Sequence, residues 1–177
     1  DEVLGSQEVH DIAIAIGVDP GSDDLSELRY GKVCILADAD SDGLHIATLL
    51  CALFVKHFPS LVEDGHLYVA MPPLFRIDDG KDVHYALDDD ELENTLKKAK
   101  TKNPQITRFK GLGEISPKEF ERFIGEEMRK VPVMLSKESQ VQKMLEYFMG
   151  KNTPQRQNFI IENLVVEKDI VEEVAVK

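Results

Sequence analysis

The apolar positions of the chain fall into short blocks whose spacing alternates between that of buried strands and that of helices. Lys32 to Ala37 reads Lys-Val-Cys-Ile-Leu-Ala, a continuous β-branched-rich run of the kind buried on both faces of a sheet. From Leu44 to Phe58 the apolar residues Leu44, Ala47, Leu50, Cys51 and Phe54 recur near helical spacing, and Pro59 stops the segment. His66 to Met71 predicts a second strand, closed by Pro72-Pro73. Leu74 to Ile77 and Val83 to Leu87 predict a hairpin around Asp78-Asp79-Gly80-Lys81-Asp82. Asp88 to Asp90 can cap a helix running to about Lys100, and Ile106 to Phe109 is a brief strand. Lys110-Gly111-Leu112-Gly113-Glu114 interrupts regular structure. Ser116-Pro117-Lys118-Glu119 then has the form of a capping box with proline at the first helical position. Two further helices are expected, from Lys137 to Met149 and from about Pro154 to Asn163. At the start, the short apolar stretch Ile12 to Val18 leads into a turn or loop at Asp19-Pro20-Gly21-Ser22-Asp23-Asp24. At the end, Val165 to Lys177 alternates acidic and aliphatic residues and reads as a tail. These blocks predict an α/β fold, a mainly parallel sheet flanked by helices with a helical C-terminal extension.

Composition narrows the class. Apolar residues are 42% and charged residues 31% of 177, an ordinary globular balance with material for one substantial core. No run approaches the roughly 18 apolar residues of a membrane-spanning helix. The first residue is Asp1, and nothing near it has the layout of a signal peptide, so a cytoplasmic segment of a longer protein is expected. Cys34 and Cys51 both lie in apolar runs, as buried reduced thiols do. The formal net charge of −12 speaks against nucleic-acid binding, which is driven by Lys and Arg on phosphate. That objection weakens if many carboxylates serve a divalent metal, because a bound ion inverts the local charge logic.

The densest chemistry follows the first predicted strand. Asp38, Asp40 and Asp42, at alternating positions after a buried strand, put carboxylates at the strand's C-terminal end, where open α/β sheets carry their sites. Without a cation they repel one another. Hard oxygen ligands at this density favour Mg²⁺, with Mn²⁺ or Ca²⁺ able to substitute. Gly43 lets the backbone turn into the helix, whose N-terminal amides can face a phosphate. A plainer reading is an acidic loop that caps a helix, since Asp is favoured in both places. An EF-hand calcium loop fits poorly: its twelfth position is Leu49, where a bidentate Glu is required, and a strand precedes it.

These residues carry a family resemblance. Leu36-Ala37-Asp38-Ala39-Asp40-Ser41-Asp42-Gly43-Leu44-His45-Ile46 resembles the second acidic motif of the Toprim fold as it occurs in the B subunits of bacterial type II DNA topoisomerases. Pro72-Pro73-Leu74-Phe75-Arg76-Ile77 and Arg108-Phe109-Lys110-Gly111-Leu112-Gly113-Glu114 resemble two further motifs of that family, in the same order. With Arg29-Tyr30-Gly31-Lys32 the similarity extends over roughly residues 2 to 163. DHH phosphoesterases also begin with Asp-x-Asp-x-Asp-Gly, but no Asp-His-His triplet occurs here. Within the family, Ala39 and the run Ser41 to Phe54 are worded more like topoisomerase IV than like DNA gyrase, the alternative.

The resemblance implies a Toprim-like metal-binding domain over residues 1–114, whose N-terminal part lies upstream. It implies a helical region over 115–163 for A-subunit and DNA contact, and leaves 164–177 as a tail. Asp38 would bridge two Mg²⁺ positions, Asp40 would complete the second and Asp42 would stand in the outer shell. In the family a glutamate on the preceding strand joins these aspartates in binding the metals; its usual setting, Glu-Gly-Asp-Ser-Ala, does not occur in this chain, and the family's ATP-binding domain also lies upstream. The implied reaction is transesterification by a tyrosine of the topoisomerase IV A subunit on double-stranded DNA, within an A2B2 heterotetramer that quinolone-type inhibitors target. None of Tyr30, Tyr68, Tyr85 and Tyr147 is expected to be that nucleophile. His45, one position inside the predicted helix, and Arg156 match DNA contacts of the family, and each also has a bland reading as a surface residue. Lys110, next to two glycines that permit close backbone approach, is a further candidate for DNA contact, pairing with a phosphate or with an active-site carboxylate. A self-contained Mg²⁺ phosphohydrolase and a docking module without catalysis are the competing function classes.

Overall fold

The computed structural model describes residues 3–101, 103–125, 128–135 and 138–164. They fall into two compact units, Asp1–Leu135 and Ser136–Lys177. The tail expected at 164–177 lies outside the described residues except for Leu164.

The first unit opens with α1 (Gln7–Ile16), where the apolar stretch at Ile12 proves to be the end of a helix. Ser6 caps it by accepting from the Val9 amide, and Gly17, at φ 80°, closes it in the left-handed conformation that glycine adopts at little cost. A long connection reaches β1 (Val33–Ile35), followed by α2 (Ser41–His57), the short α3 (Pro59–Glu63) and β2 (Leu67–Ala70). β1 and β2 pair in parallel, Val33 opposite Leu67, with α2 and α3 as their crossover. β6 (Lys130–Pro132) adds to the other side of β2 in the antiparallel sense. Phe58, Leu61 and Leu67 are fully buried where these helices meet the sheet, alongside Ile35 and Phe54.

The predicted hairpin is β3 (Phe75–Asp78) and β4 (Val83–Ala86), in register Phe75 to Ala86. β5 (Gln105–Arg108) lies antiparallel on the other edge of β3, and α4 (Asp89–Lys98) packs Leu92 and Leu96 on a small second core of Phe75, Ile77 and Ala86. Asp88 caps α4, and the capping box of Ser116 and Glu119 starts α5 (Pro117–Ile124), both as the sequence predicts.

The α/β class is as expected, but the sheets are less parallel. Of the four ladders among the described residues only β1 to β2 is parallel. The reason is connectivity: a parallel pair needs a crossover of a dozen or more residues, and α2 with α3 supplies it here. Residues 115–135, expected with the helical region, belong to the first unit: Glu119 of α5 grips Arg76 of β3, and β6 completes the first sheet.

The second unit holds α6 (Glu138–Met149) and α7 (Thr153–Glu162). Phe148 and Phe159 stack edge-to-face at 5.2 Å, and the Tyr147 hydroxyl donates to the Gln155 carbonyl.

Candidate functional site

The acidic turn occupies the C-terminal end of β1. Leu36 and Ala37 carry the chain out of the strand to Asp38, and Asp40 is the N-cap of α2. Its Oδ1 accepts from the Gly43 amide at 2.7 Å, so the capping reading of the sequence is realised by this aspartate. Asp42 stands in the first turn, where the helix dipole favours a carboxylate. Asp38, Asp40 and Asp42 are all exposed, and the Asp38 carboxylate reaches the loop that follows β5.

Gly43 is required for clearance rather than for conformational freedom. A Cβ built on it would stand 2.1 Å from the Asp38 carbonyl oxygen. The first turn of α2 is therefore pressed against the backbone of the aspartate that precedes it. This contact also sets the phase of the helix. Gly43, Ala47 and Phe54 are buried, whereas Leu44, counted in the apolar stripe from spacing alone, is 67% exposed.

The loop after β5 closes over the same aspartate. The Leu112 amide donates to Asp38 Oδ1 at 2.7 Å across 74 residues of sequence. Gly111 lies so near that an added Cβ would be 3.4 Å from both Asp38 carboxylate oxygens. Within the loop the Lys110 amide donates to Glu114 Oε2 at 2.9 Å. One residue earlier, the amide of buried Phe109 donates to the Leu74 carbonyl at 2.9 Å. Three separated motifs, Leu36–Ile46, Pro72–Ile77 and Arg108–Glu114, are thus joined by two hydrogen bonds. The sequence gives no hint of the Leu112 amide, because backbone donors carry no side-chain signature.

The DNA candidates are divided. His45 is exposed on α2, and Lys110 is exposed beside the Asp38 clasp. Arg156 belongs to the second unit, where its Nη1 donates to the Phe148 carbonyl at 2.7 Å, near the C-terminus of α6. Tyr85 donates its hydroxyl to Glu119 at 2.8 Å and so serves the scaffold. Cys34 and Cys51 are free and half-buried, and burial pushes the Cys51 thiol up.

The acidic turn offers only hard oxygens, the donor set suited to Mg²⁺. Yet among the described residues the one trio of potential ligands whose donor atoms all lie within 4.8 Å of one another is Asp79, Asp82 and His84. Asp38, Asp40 and Asp42 do not form such a trio. The Asp40 Oδ1 is turned onto the helix cap, and like charges favour separation. An outer-shell position for Asp42 does not require the three to converge.

Comparison with known proteins bears on these motifs. Residues 101–161 match the family model described as DNA gyrase B subunit, carboxyl terminus. Over 120 residues, 66% of this chain, the sequence is 72% identical to the B subunit of DNA topoisomerase 4 from Pseudomonas aeruginosa. The B subunit of DNA gyrase from Thermotoga maritima is 37% identical over 173 residues, 96% of this chain. The chain belongs to the B-subunit family of bacterial type II DNA topoisomerases.

It spans 19% of the length of the Pseudomonas relative and 27% of the Thermotoga one. The fold resembles the DNA-binding, cleavage and re-ligation domain of Plasmodium falciparum topoisomerase II, with a TM-score of 0.74 at 24% identity, over 93% of this chain and 23% of that one. In this topoisomerase segment, the three motifs that carry the sequence resemblance are the ones that the Asp38–Leu112 and Phe109–Leu74 bonds tie together.

Proposed function

We propose that this segment is part of the DNA cleavage and religation core of topoisomerase IV, supplying Mg²⁺ ligands for transesterification by a tyrosine of the A subunit. The observation that carries the reading is the clasp on Asp38. A carboxylate at a strand end is held through one oxygen by the Leu112 amide, which leaves its other oxygen without a bond to the described residues. A side chain so oriented loses little freedom when it meets a cation or a phosphate.

In this reading Asp38 and Asp40 hold Mg²⁺, with Asp42 in the outer shell. Bound there, the ion stabilises charge on the scissile phosphate and the leaving oxygen. The remaining contributions come from the chain itself. Asp40 starts α2 through its cap, which leaves the helix dipole directed at the acidic turn. His45 and Lys110, both exposed, meet DNA phosphates, and Arg156 does so from the second unit with the guanidinium nitrogens not given to Phe148.

The whole assembly is an A2B2 heterotetramer, since cuts on two strands call for two sites related by a two-fold axis. Its reaction is strand passage with relaxation and decatenation, driven by ATP bound in a domain outside this chain. No described helix is long and apolar enough to cross a membrane. The assembly works where chromosomal DNA lies, in the cytoplasm. The acidic turn near the cleavage site is a neighbour of quinolone-type inhibitors. A test uses supercoiled plasmid, Mg²⁺ and three mixtures: this chain alone, the A subunit alone, and the A subunit with a full-length B subunit carrying this segment. Cleavage with protein attached to the DNA ends is expected only in the third. Metal-dependent cutting by this chain alone, at stoichiometric amounts and without attached protein, would overturn the proposal in favour of a hydrolase.

A further inference from the structure

The β3–β4 hairpin carries a second cluster that the acidic turn does not use. Asp79 is buried to 2% exposure, and its Oδ1 accepts from the amides of Lys81 at 3.1 Å and Asp82 at 2.8 Å. The hydroxyl of Thr101 donates to the Asp79 carbonyl, so the residue is fixed on both sides. Its other oxygen, Oδ2, is buried and has no hydrogen-bond partner among the described residues. Among the described residues, the His84 imidazole is the basic side chain close to it, with Nε2 3.7 Å away. That is too long for a hydrogen bond, and a buried carboxylate oxygen without a partner is costly. Asp82, across the turn, completes a trio whose ligand atoms lie within 4.8 Å of one another.

We propose that Asp79, Asp82 and His84 form a binding site for a divalent transition-metal ion of the zinc class. A tetrahedral ion bound at about 2.1 Å keeps its ligand atoms roughly 3–4 Å apart, which matches the Asp79–His84 gap. The side chains of Asp82 and His84 are 54% and 43% exposed, and they can close by rotation while Asp79 stays fixed. A mixed imidazole and carboxylate set selects Zn²⁺ over Mg²⁺, which prefers oxygen alone. Water would fill the fourth position. Lys100 opposes the ion: its Nζ lies 3.1 Å from Asp82 Oδ2 and must yield that oxygen or leave Asp82 to bind through Oδ1.

The site stands apart from the Asp38 reading, and its test can be run in excess Mg²⁺ to saturate hard-oxygen sites. Zn²⁺ is titrated calorimetrically into the full chain and into His84→Ala, Asp82→Asn and Lys100→Met, each first checked for an unchanged Tm without zinc. The unmodified chain should bind one Zn²⁺ at this site. His84→Ala should lose that event, Asp82→Asn should weaken it by more than about tenfold, and Lys100→Met should tighten it. Zinc binding unchanged in His84→Ala, or no saturable binding by the unmodified chain, overturns the proposal and leaves Asp79 and His84 as neighbours without a metal between them.

Discussion

Replacing Gly43 by alanine tests whether the acidic turn depends on close backbone packing. Alanine is the better helix former, by about 1 kcal/mol, so propensity alone predicts a more stable protein. Geometry predicts the opposite. The new Cβ would lie 2.1 Å from the Asp38 carbonyl oxygen, and about 0.9 Å of movement is needed merely to reach 3.0 Å, the shortest approach that real Cβ atoms make. The obstacle is backbone rather than a flexible side-chain tip, so either the first turn of α2 or the Asp38 peptide must shift. Overpacking of this kind costs about 1–3 kcal/mol, and the larger end applies because no rotamer change relieves it. After the propensity gain, the net loss is about 2 kcal/mol, or a fall in Tm of about 4–8 °C for a chain of this size. Any shift of the Asp38 backbone also draws its carboxylate from the Leu112 amide, so Mg²⁺ affinity should fall together with stability. Gly113→Ala is the control, because a Cβ there meets nothing within 4 Å and should change stability by less than about 0.5 kcal/mol. Thermal unfolding and Mg²⁺ titration of the two variants decide the matter. A Gly43→Ala protein as stable as Gly113→Ala, with unaltered Mg²⁺ binding, would refute the clearance reasoning.

Three other outcomes follow from the same contacts. Glu119 is bonded to the Ser116 hydroxyl, Tyr85 and Arg76, which hold its carboxyl at about 2 against an ordinary 4.5. Its contribution to stability is therefore complete above about pH 4.5 and lost as pH falls toward 2; partial exposure limits it to about 2 kcal/mol, and Glu119→Gln should flatten acid unfolding over that window. Asp40→Asn keeps a capping oxygen for the Gly43 amide but removes a charge, so it should retain Tm while lowering Mg²⁺-dependent cleavage in the assembled enzyme, whereas Asp40→Ala also loses about 1 kcal/mol of cap; equal cleavage by Asp40→Asn and the parent at limiting Mg²⁺ would exclude the ligand role. With a net charge of −12, the chain alone should bind duplex DNA weakly, and a salt-dependent, sub-micromolar affinity measured by fluorescence anisotropy would contradict that expectation.

Much of this is legible in the sequence where a local signal is strong. The cap at Asp88, the capping box at Ser116, the β3–β4 hairpin and the helix after the acidic turn follow from side chains acting on neighbours within a few residues. What escapes depends on distant contacts. β6 is three residues ending in Pro132, too short and too proline-bound to signal a strand, and it exists because β2 offers it an edge. The phase of α2 departs from expectation at Leu44 because helical spacing alone does not say which face meets the sheet; the Gly43–Asp38 contact does. The candidate site is half legible. Asp38, Asp40 and Asp42 are marked by type and spacing, while the Leu112 amide and the orphaned Asp79 oxygen become visible only with three-dimensional neighbours.

If Asp38, clasped by the loop after β5, is a metal ligand for DNA cleavage, the most direct test is Asp38→Asn in a full-length B subunit assembled with its A subunit. Asparagine preserves an oxygen for the Leu112 amide at similar size, so folding and assembly should be retained. Covalent DNA cleavage is measured against Mg²⁺ concentration for both proteins. The expected result is a curve displaced to higher Mg²⁺ by more than about tenfold, or cleavage too weak to saturate. A variant that assembles normally and cleaves along the parent's Mg²⁺ curve would contradict the ligand role of Asp38.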